Sequence, residues 1–214
     1  MRGVIIITEN LKMEELALSP LKPKNNEEIR EKRKRQIESS ALIIFAKNGY
    51  LRTKMSMIAN EAKISEGLIY RYYQSKEQLF LSIVEVLMKE SSREINSLNQ
   101  MAGTPLEQIR LLTRKMLEEQ SKIGFMLIEQ AKKEDEVPKR VTDLIKSYSD
   151  QNFINHLIPI FIEGQEQGEF ISGDPKKILS WYFYIVNLIT NDEYGDLEFG
   201  FPSTKMLLRL IRNS

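Results

Sequence analysis

Residues 65–76 carry side chains that suit contact with a nucleic acid. Gly67 lets another backbone approach closely, and the hydroxyl groups of Tyr70 and Tyr72 can reach phosphate oxygens. Lys76 stands at the start of a helical pattern, and a helix N-terminus favours anions. This segment is therefore a candidate surface for the sugar–phosphate backbone of DNA.

Side chains in and just before this segment add base and phosphate contacts. Leu68 can contact the methyl group of thymine, and Arg71 can bind guanine or phosphate. Glu66 would repel phosphate unless its carboxylate accepts a hydrogen bond from the amino group of cytosine. Thr53 and Lys54 begin the preceding helix and can also reach phosphate.

Two short helical patterns position these side chains. Apolar residues recur at helical spacing on both sides of a break, at Ile58, Ala59 and Ala62 and then at Leu68, Ile69 and Tyr73. Residues 63–65 leave room only for a turn, and Ser65 is placed to cap the second helix. Helices joined by so short a turn must cross steeply, which predicts a helix-turn-helix whose second helix enters the major groove.

Two of the tyrosines have an alternative role. The spacing of Tyr73 with Leu68 and Ile69 favours core packing over DNA contact. Tyr70 could be an ordinary surface aromatic, but its position in the second helix favours DNA contact.

A gapless stretch of about fifty residues resembles the tetracycline-repressor (TetR) family of bacterial transcription regulators. The matching residues are Phe45, Gly49, Tyr50, Thr53, Ile58, Ala59, Ala62, Ile64, Ser65, Gly67, Tyr70, Lys76, Glu77, Gln78 and Leu79. Two residues depart from the usual pattern: Lys63 replaces a frequent Gly, and Glu66 replaces a frequent Lys or Arg. A left-handed Lys63 would cost roughly 1 kcal/mol, which a fold tolerates.

The resemblance implies that Ser65, Gly67, Tyr70, Tyr72 and Lys76 occupy the family's usual DNA-contacting positions. Our complete candidate set for DNA contact is Thr53, Lys54, Ser65, Glu66, Gly67, Leu68, Tyr70, Arg71, Tyr72 and Lys76. The resemblance also implies that the C-terminal part of the chain binds a small effector and a second subunit.

Charge is distributed unevenly along the chain. Residues 27–76 contain 11 Lys or Arg and 6 Asp or Glu, a balance of +5, whereas the remainder has a balance of −4. A basic surface binds phosphate by releasing counterions, which predicts salt-sensitive binding. The run at 32–35 taken alone would more often be a solvated helix face.

The rest of the chain predicts an all-α fold of about nine helices. We expect a first helix over 28–47, a fourth over 76–98, a long helix opened by Pro138 and kinked at Pro159, and a last helix over 203–213. Thr104 and Glu107 form a capping-box pattern. We therefore divide the chain into a flexible extension over 1–26, a three-helix helix-turn-helix domain over 27–76 and a larger helical effector-binding and dimerisation domain over 77–214.

The N-terminal extension has little pattern of its own. The apolar run Val4–Ile7 is too short for a signal peptide, and Met13 is an alternative start. Lys22 and Lys24 would suit a DNA-binding arm, but the extension also carries several glutamates.

The C-terminal part offers candidates for two binding roles. For an effector pocket we select Met88, Met116, Phe125, Met126, His156 and Phe161, with plain core packing as the alternative for each apolar residue. For a dimer interface we select Trp181, Tyr184, Leu188, Met206, Leu207 and Leu210. Residues 181–184 place aromatic rings on every side of one helix, so one face can meet the core and the other a partner.

Composition narrows the classes of protein to which this chain can belong. The chain has 214 residues, is 42% hydrophobic and contains no Cys, which excludes disulfides and thiolate zinc sites. No segment reaches the ~18 apolar residues of a membrane span. With no metal cluster, cofactor motif or catalytic constellation in the pattern, we expect no enzyme, no cofactor, no metal and no membrane partner.

Two functional hypotheses remain. The preferred one is a cytoplasmic, effector-controlled homodimer, a repressor that a small hydrophobic or amphipathic ligand releases from a palindromic double-stranded operator. The alternative is a helical ligand-binding or scaffold protein with weak or lost DNA specificity. Glu66 is the reason for this alternative, because its carboxylate would repel phosphate.

Overall fold

The computed structural model describes residues 24–98, 100–148, 150–190 and 202–213, and their regular structure is helical. The first four helices are α1 (Lys24–Arg52), α2 (Met55–Glu61), α3 (Glu66–Tyr70) and α4 (Lys76–Leu98). The other six are α5 (Pro105–Met116), α6 (Glu119–Lys133), α7 (Lys139–Ser147), α8 (Asp150–Glu166), α9 (Pro175–Thr190) and α10 (Thr204–Leu208). The predicted all-α fold is confirmed, with ten helices in the described part of the chain. None of these helices combines the length and the apolar character needed to cross a bilayer.

The chain packs as two compact units. The first contains the described residues up to Glu90 together with Leu127–Ile145, and the second contains Ser91–Met126 and the described residues from Lys146 onward. The limits of the units therefore fall within α4, α6 and α7. The functional division proposed from the sequence, with a boundary after residue 76, stays a prediction, and residues 1–23 of the predicted extension lie outside the described residues.

The core of the first unit forms around the N-terminal helices. α1 packs on α2, and α2 packs on α3. The rings of Phe45 and Phe80 lie 4.6 Å apart, and Tyr50 lies 5.0 Å from Phe80. The predicted apolar faces of the helix-turn-helix are buried at Ile58, Ala59, Ala62, Ile69 and Tyr73.

The core of the second unit is built by α5, α8 and α9, which pack on one another, and by α10, which packs on α5. Phe161 stacks on Phe170 with ring centroids 4.5 Å apart. The hydroxyl groups of Thr113 and Tyr182 form a buried hydrogen bond of 2.8 Å, and burial raises the pKa of Tyr182 to about 12. The predicted capping box at Thr104 is confirmed. The side chain of Thr104 accepts from the amide of Glu107, and the side chain of Glu107 accepts from the amide of Thr104.

Two C-terminal helix predictions need correction. The long helix predicted from Pro138 is two helices, α7 and α8, with a turn at Tyr148 between them. Ser147 ends α7 just before that turn, and Ser favours caps over helix interiors. The last helix ends at Leu208 instead of continuing to 213, because the following residues pair with an earlier segment: the amide of Ile171 donates to the carbonyl of Ile211 at 2.9 Å.

Two residues near the helix-turn-helix take left-handed backbone conformations. Gly49 has φ 76° and interrupts α1 where the sequence predicted its end, although the helix resumes for one short turn afterwards. Lys63, in the turn between α2 and α3, has φ 53°. The strain anticipated at Lys63 is therefore present.

Replacing Lys63 with Gly is expected to stabilise the protein. A left-handed L-residue costs about 1–2 kcal/mol, which exceeds the about 0.5–1 kcal/mol entropic cost of Gly. The free energy of unfolding, measured by urea denaturation, should therefore rise by about 0.5–1 kcal/mol. Lys63→Val, which adds a β-branched side chain, should lower it. Equal stability of all three proteins would contradict the strain.

Candidate nucleic-acid interface

Helix α3 is held by its cap and its buried face. The side chain of Ser65 accepts a hydrogen bond from the amide of Leu68 at 3.3 Å, which confirms the predicted cap. Ile69 is fully buried, and Tyr73 just beyond the helix is 3% exposed. The orientation of α3 is therefore fixed by its inner face, and the opposite face is turned to solvent.

That outer face carries most of the predicted DNA-reading residues. Glu66, Gly67 and Arg71 are exposed, and the side chain of Tyr70 is 48% exposed. A Cβ placed at Gly67 would meet no atom of the described residues within 4 Å, so another backbone can approach there. Ser65 is also exposed, and Leu68 and Tyr72 are half-buried.

Two residues that the sequence analysis did not single out support this arrangement from α1. The side-chain amide of Gln36 donates to the carbonyl of Ala62 at 2.7 Å, which ties the end of α2 to α1. Glu38 accepts hydrogen bonds from the hydroxyl groups of Tyr73 and of Ser82. Burial and this carboxylate raise the pKa of Tyr73. Neither partner could be found from spacing, because each contact joins residues 26 or more positions apart.

Thr53 is a correction to the predicted contact set. Its side chain is 1% exposed, and its hydroxyl group donates to the carbonyl of Gly49 at 2.6 Å. The hydroxyl group satisfies a carbonyl at the break in α1 and is not free to meet phosphate. Its neighbour Lys54 is exposed and stays a predicted phosphate contact.

The predicted anion contact at the start of α4 stays a prediction, but the ammonium group of Lys76 is used within the protein. It donates to the carbonyls of Tyr50 at 2.8 Å, Leu51 at 3.4 Å and Thr53 at 3.1 Å, and lies 4.3 Å from the centre of the Tyr50 ring. An ammonium group has three hydrogens to donate, so these carbonyls occupy it fully. Burial lowers the pKa of Lys76, and Glu134 opposes that shift.

The predicted effector residues do not share one environment. Phe161 is fully buried in its stack on Phe170, and Met116 is buried in the same core, which favours their core alternative. His156 is exposed. Phe125, Met126 and Met88 are half-buried, and Met88 belongs to the first unit whereas the other five belong to the second. A groove of about 490 Å³ in the first unit is lined mainly by polar residues, among them Arg30, Lys34 and Arg140, and by none of the six.

The predicted dimer residues are mostly exposed. On α9 the exposed fractions are 66% for Trp181, 64% for Tyr184 and 55% for Leu188, whereas Tyr182 and Phe183 are buried. Met206 and Leu210 are also exposed. Leu207 is the exception, because it is 4% exposed and packs in the core of its own unit.

Comparison with known proteins agrees with this geometry. Residues 37–83 match the family described as bacterial regulatory proteins, tetR family. The chain is 31% identical over 137 residues to the uncharacterized HTH-type transcriptional regulator YuxN of Bacillus subtilis (strain 168), a match that covers 62% of this chain and 47% of YuxN. It is 25% identical over 172 residues to the fatty acid metabolism regulator protein of the same bacterium, covering 76% and 86%.

A solved structure shares the fold. The TetR-family transcriptional regulator from Agrobacterium tumefaciens superposes with a TM-score of 0.69 at 18% identity, covering 85% of this chain and 98% of that one.

Among the described residues, no group of three or more His, Asp or Glu could hold a metal ion.

The salt dependence of DNA binding can test whether Lys54 contacts phosphate and whether its neighbour Thr53 does not. Lys54→Ala should reduce the slope of log affinity against log salt by about 1, because one phosphate contact is lost. Thr53→Val should leave that slope unchanged and instead lower the free energy of unfolding by about 1 kcal/mol, because a buried carbonyl loses its donor. The reverse pattern, a slope change only in Thr53→Val, would return Thr53 to the contact set.

Proposed function

We propose that this chain, which belongs to the tetR family of bacterial regulatory proteins, is an effector-controlled repressor that binds a palindromic operator. The family consists of transcriptional regulators, not enzymes. The observation that supports sequence-specific binding most directly is the outer face of α3, which is exposed while its inner face is locked into the first unit. A helix held in this way can enter the major groove without rearrangement. Since the operator is chromosomal DNA, we expect the protein to act in the cytoplasm.

The face of α3 also suggests what it reads. Glu66 lies in the first turn of α3, the part of a recognition helix that meets base edges. Its carboxylate can accept from the amino group of cytosine, whereas Arg71 can donate to guanine or phosphate. We therefore expect cytosine at one fixed position of each half-site.

A homodimer follows from the requirements of a palindrome. Two recognition helices must lie about 34 Å apart to enter successive major grooves on one side of a duplex. The exposed aromatic and aliphatic side chains of α9 are too apolar for a surface that stays in water, which favours a second copy as their partner.

The effector is proposed as a small hydrophobic or amphipathic molecule. The second unit has an apolar core that includes Met116, with Met101 and Phe125 packed against it, and Met adapts to irregular ligands. A relative that matches over 86% of its length is named for fatty acid metabolism, which supports an acyl compound as the first class to test. A ligand that releases the operator must prefer one state about 10⁴-fold to shift the population fully.

Operator binding can be measured by fluorescence anisotropy, and the bound site can be mapped by footprinting, on the DNA upstream of the coding region, at two salt concentrations and with excess competitor. The wild-type protein should protect a two-fold-symmetric site. Tyr70→Ala should weaken that binding at least about tenfold, because an exposed contact on α3 is lost. Tyr148→Ala, which removes an exposed tyrosine of the second unit, should bind like the wild type.

Weak binding of equal strength to all sequences, unchanged in Tyr70→Ala, would contradict this proposal. It would favour the alternative of a helical ligand-binding or scaffold protein with lost DNA specificity.

The oligomeric state can be measured by analytical ultracentrifugation at micromolar concentration. The wild-type protein should sediment as a dimer, and Leu188→Glu should shift it towards monomer because a charge would be buried at the interface. Ile29→Glu, at a residue of α1 that is also exposed, should leave the dimer intact. A monomeric wild-type protein would contradict the proposal.

A further inference from the structure

Residues 49–53, which run from the break in α1 at Gly49 through its last turn to Thr53, are contacted by charged groups from two different elements. We call this segment the corner. From α4, Lys76 donates to three of its carbonyls, as described above. On the other side is Glu134, the residue that follows α6, and its Oε2 accepts from the amide of Tyr50 at 2.9 Å and from the amide of Leu51 at 3.3 Å.

The contact with Glu134 is close and shaped by a glycine. A Cβ on Gly49 would overlap Oε1 of Glu134 and would lie 2.9 Å from the side-chain nitrogen of Gln130. Gln130 in turn donates to Oε1 of Glu134 at 3.3 Å. The carboxylate therefore sits directly on the backbone of the corner, and both of its oxygens have hydrogen-bond donors.

The charge of the Glu134 carboxylate strengthens its hydrogen bonds with the amides of Tyr50 and Leu51. Two consecutive amides that point at one carboxylate oxygen form a small anion-binding concavity in the backbone. Hydrogen bonds with an ionised partner are shorter and about twice as strong as neutral ones. The negative charge of Glu134 also opposes the lowering of the Lys76 pKa that burial causes.

We propose that Glu134 is a positioning residue for DNA binding, a latch at the end of α6 that holds the corner and, through it, the helix pair α2 and α3. The proposal rests on the proposed function. α2 begins at Met55, two residues after the corner, so a corner that loses its amide contacts would release the start of α2. Because α6 ends at Lys133, any change in where this helix ends displaces the carboxylate.

The direction in which DNA affinity changes when Glu134 is removed distinguishes a positioning role from a purely electrostatic one. Removing a carboxylate from a DNA-binding protein normally strengthens binding, because repulsion of phosphate decreases. A latch predicts the opposite, since the loss of Glu134 disorders the corner. Among the described residues Glu134 forms hydrogen bonds with Tyr50, Leu51 and Gln130 and with no exposed residue of α3, so its removal should not change the salt dependence of binding.

The test compares Glu134→Ala and Glu134→Gln with Asp135→Asn, which neutralises the exposed neighbouring carboxylate. Glu134→Ala should weaken operator affinity about tenfold with an unchanged salt slope, because two charge-assisted hydrogen bonds are lost. Glu134→Gln keeps an oxygen that can accept from both amides, and its affinity should lie between those of the alanine variant and the wild type. Asp135→Asn should bind as tightly as the wild type or slightly more tightly.

Hydrogen exchange without DNA supplies a second readout that a general loss of stability would not reproduce. In Glu134→Ala the amides of Tyr50 and Leu51 should exchange about tenfold faster, while buried amides of α1 around Phe45 keep their wild-type rates. Wild-type affinity or tighter binding in Glu134→Ala, or unchanged exchange at these two amides, would overturn the latch. If the wild-type protein binds no operator at all, the proposed function fails, and exchange alone still decides whether Glu134 holds the corner.

Discussion

The ammonium group of Lys76 is the contact on which the geometry of the DNA-reading part depends. It belongs to the first residue of α4 and donates to the carbonyls of Tyr50 and Leu51, at the end of α1, and of Thr53, just after α1. One cation therefore joins the end of α1, the start of α2 and the start of α4. Burial lowers the pKa of this ammonium group, and the carboxylate of Glu134 opposes that shift. The aromatic face of Tyr50, 4.3 Å away, also favours the cation.

With that junction in place, the helix-turn-helix needs few further contacts. α3 is only five residues long, which is too short to be stable alone, so its position comes from Ile69, Tyr73 and the cap at Ser65. The left-handed Lys63 makes the turn between α2 and α3 at a cost in backbone energy. The result is a short helix with a fixed inner face and an outer face of polar and aromatic side chains turned to solvent.

The sequence predicted what local rules control. The helix periods, the caps at Ser65 and Thr104, the left-handed Gly49 and the buried Tyr73 all follow from spacing and backbone chemistry, and the motif resemblance located the reading helix. What it missed depends on partners distant in the chain. The last helix stops at Leu208 because its continuation pairs with residues near Phe170. Thr53 is the exception, because its hydroxyl group turns inward to a carbonyl only four residues earlier, across the break in α1. The same limit hid Glu134, whose partners lie more than 80 residues away.

We propose that the outer face of α3 reads a specific DNA sequence as one half of a symmetric dimer. The most direct test is to select duplexes bound by the purified wild-type protein from a random pool and to sequence the survivors. We expect an enriched palindrome whose half-sites are centred about one helical turn, 34–36 Å, or a multiple of it apart. A bound fraction with the same composition as the starting pool, at low salt and across repeated rounds, would contradict it.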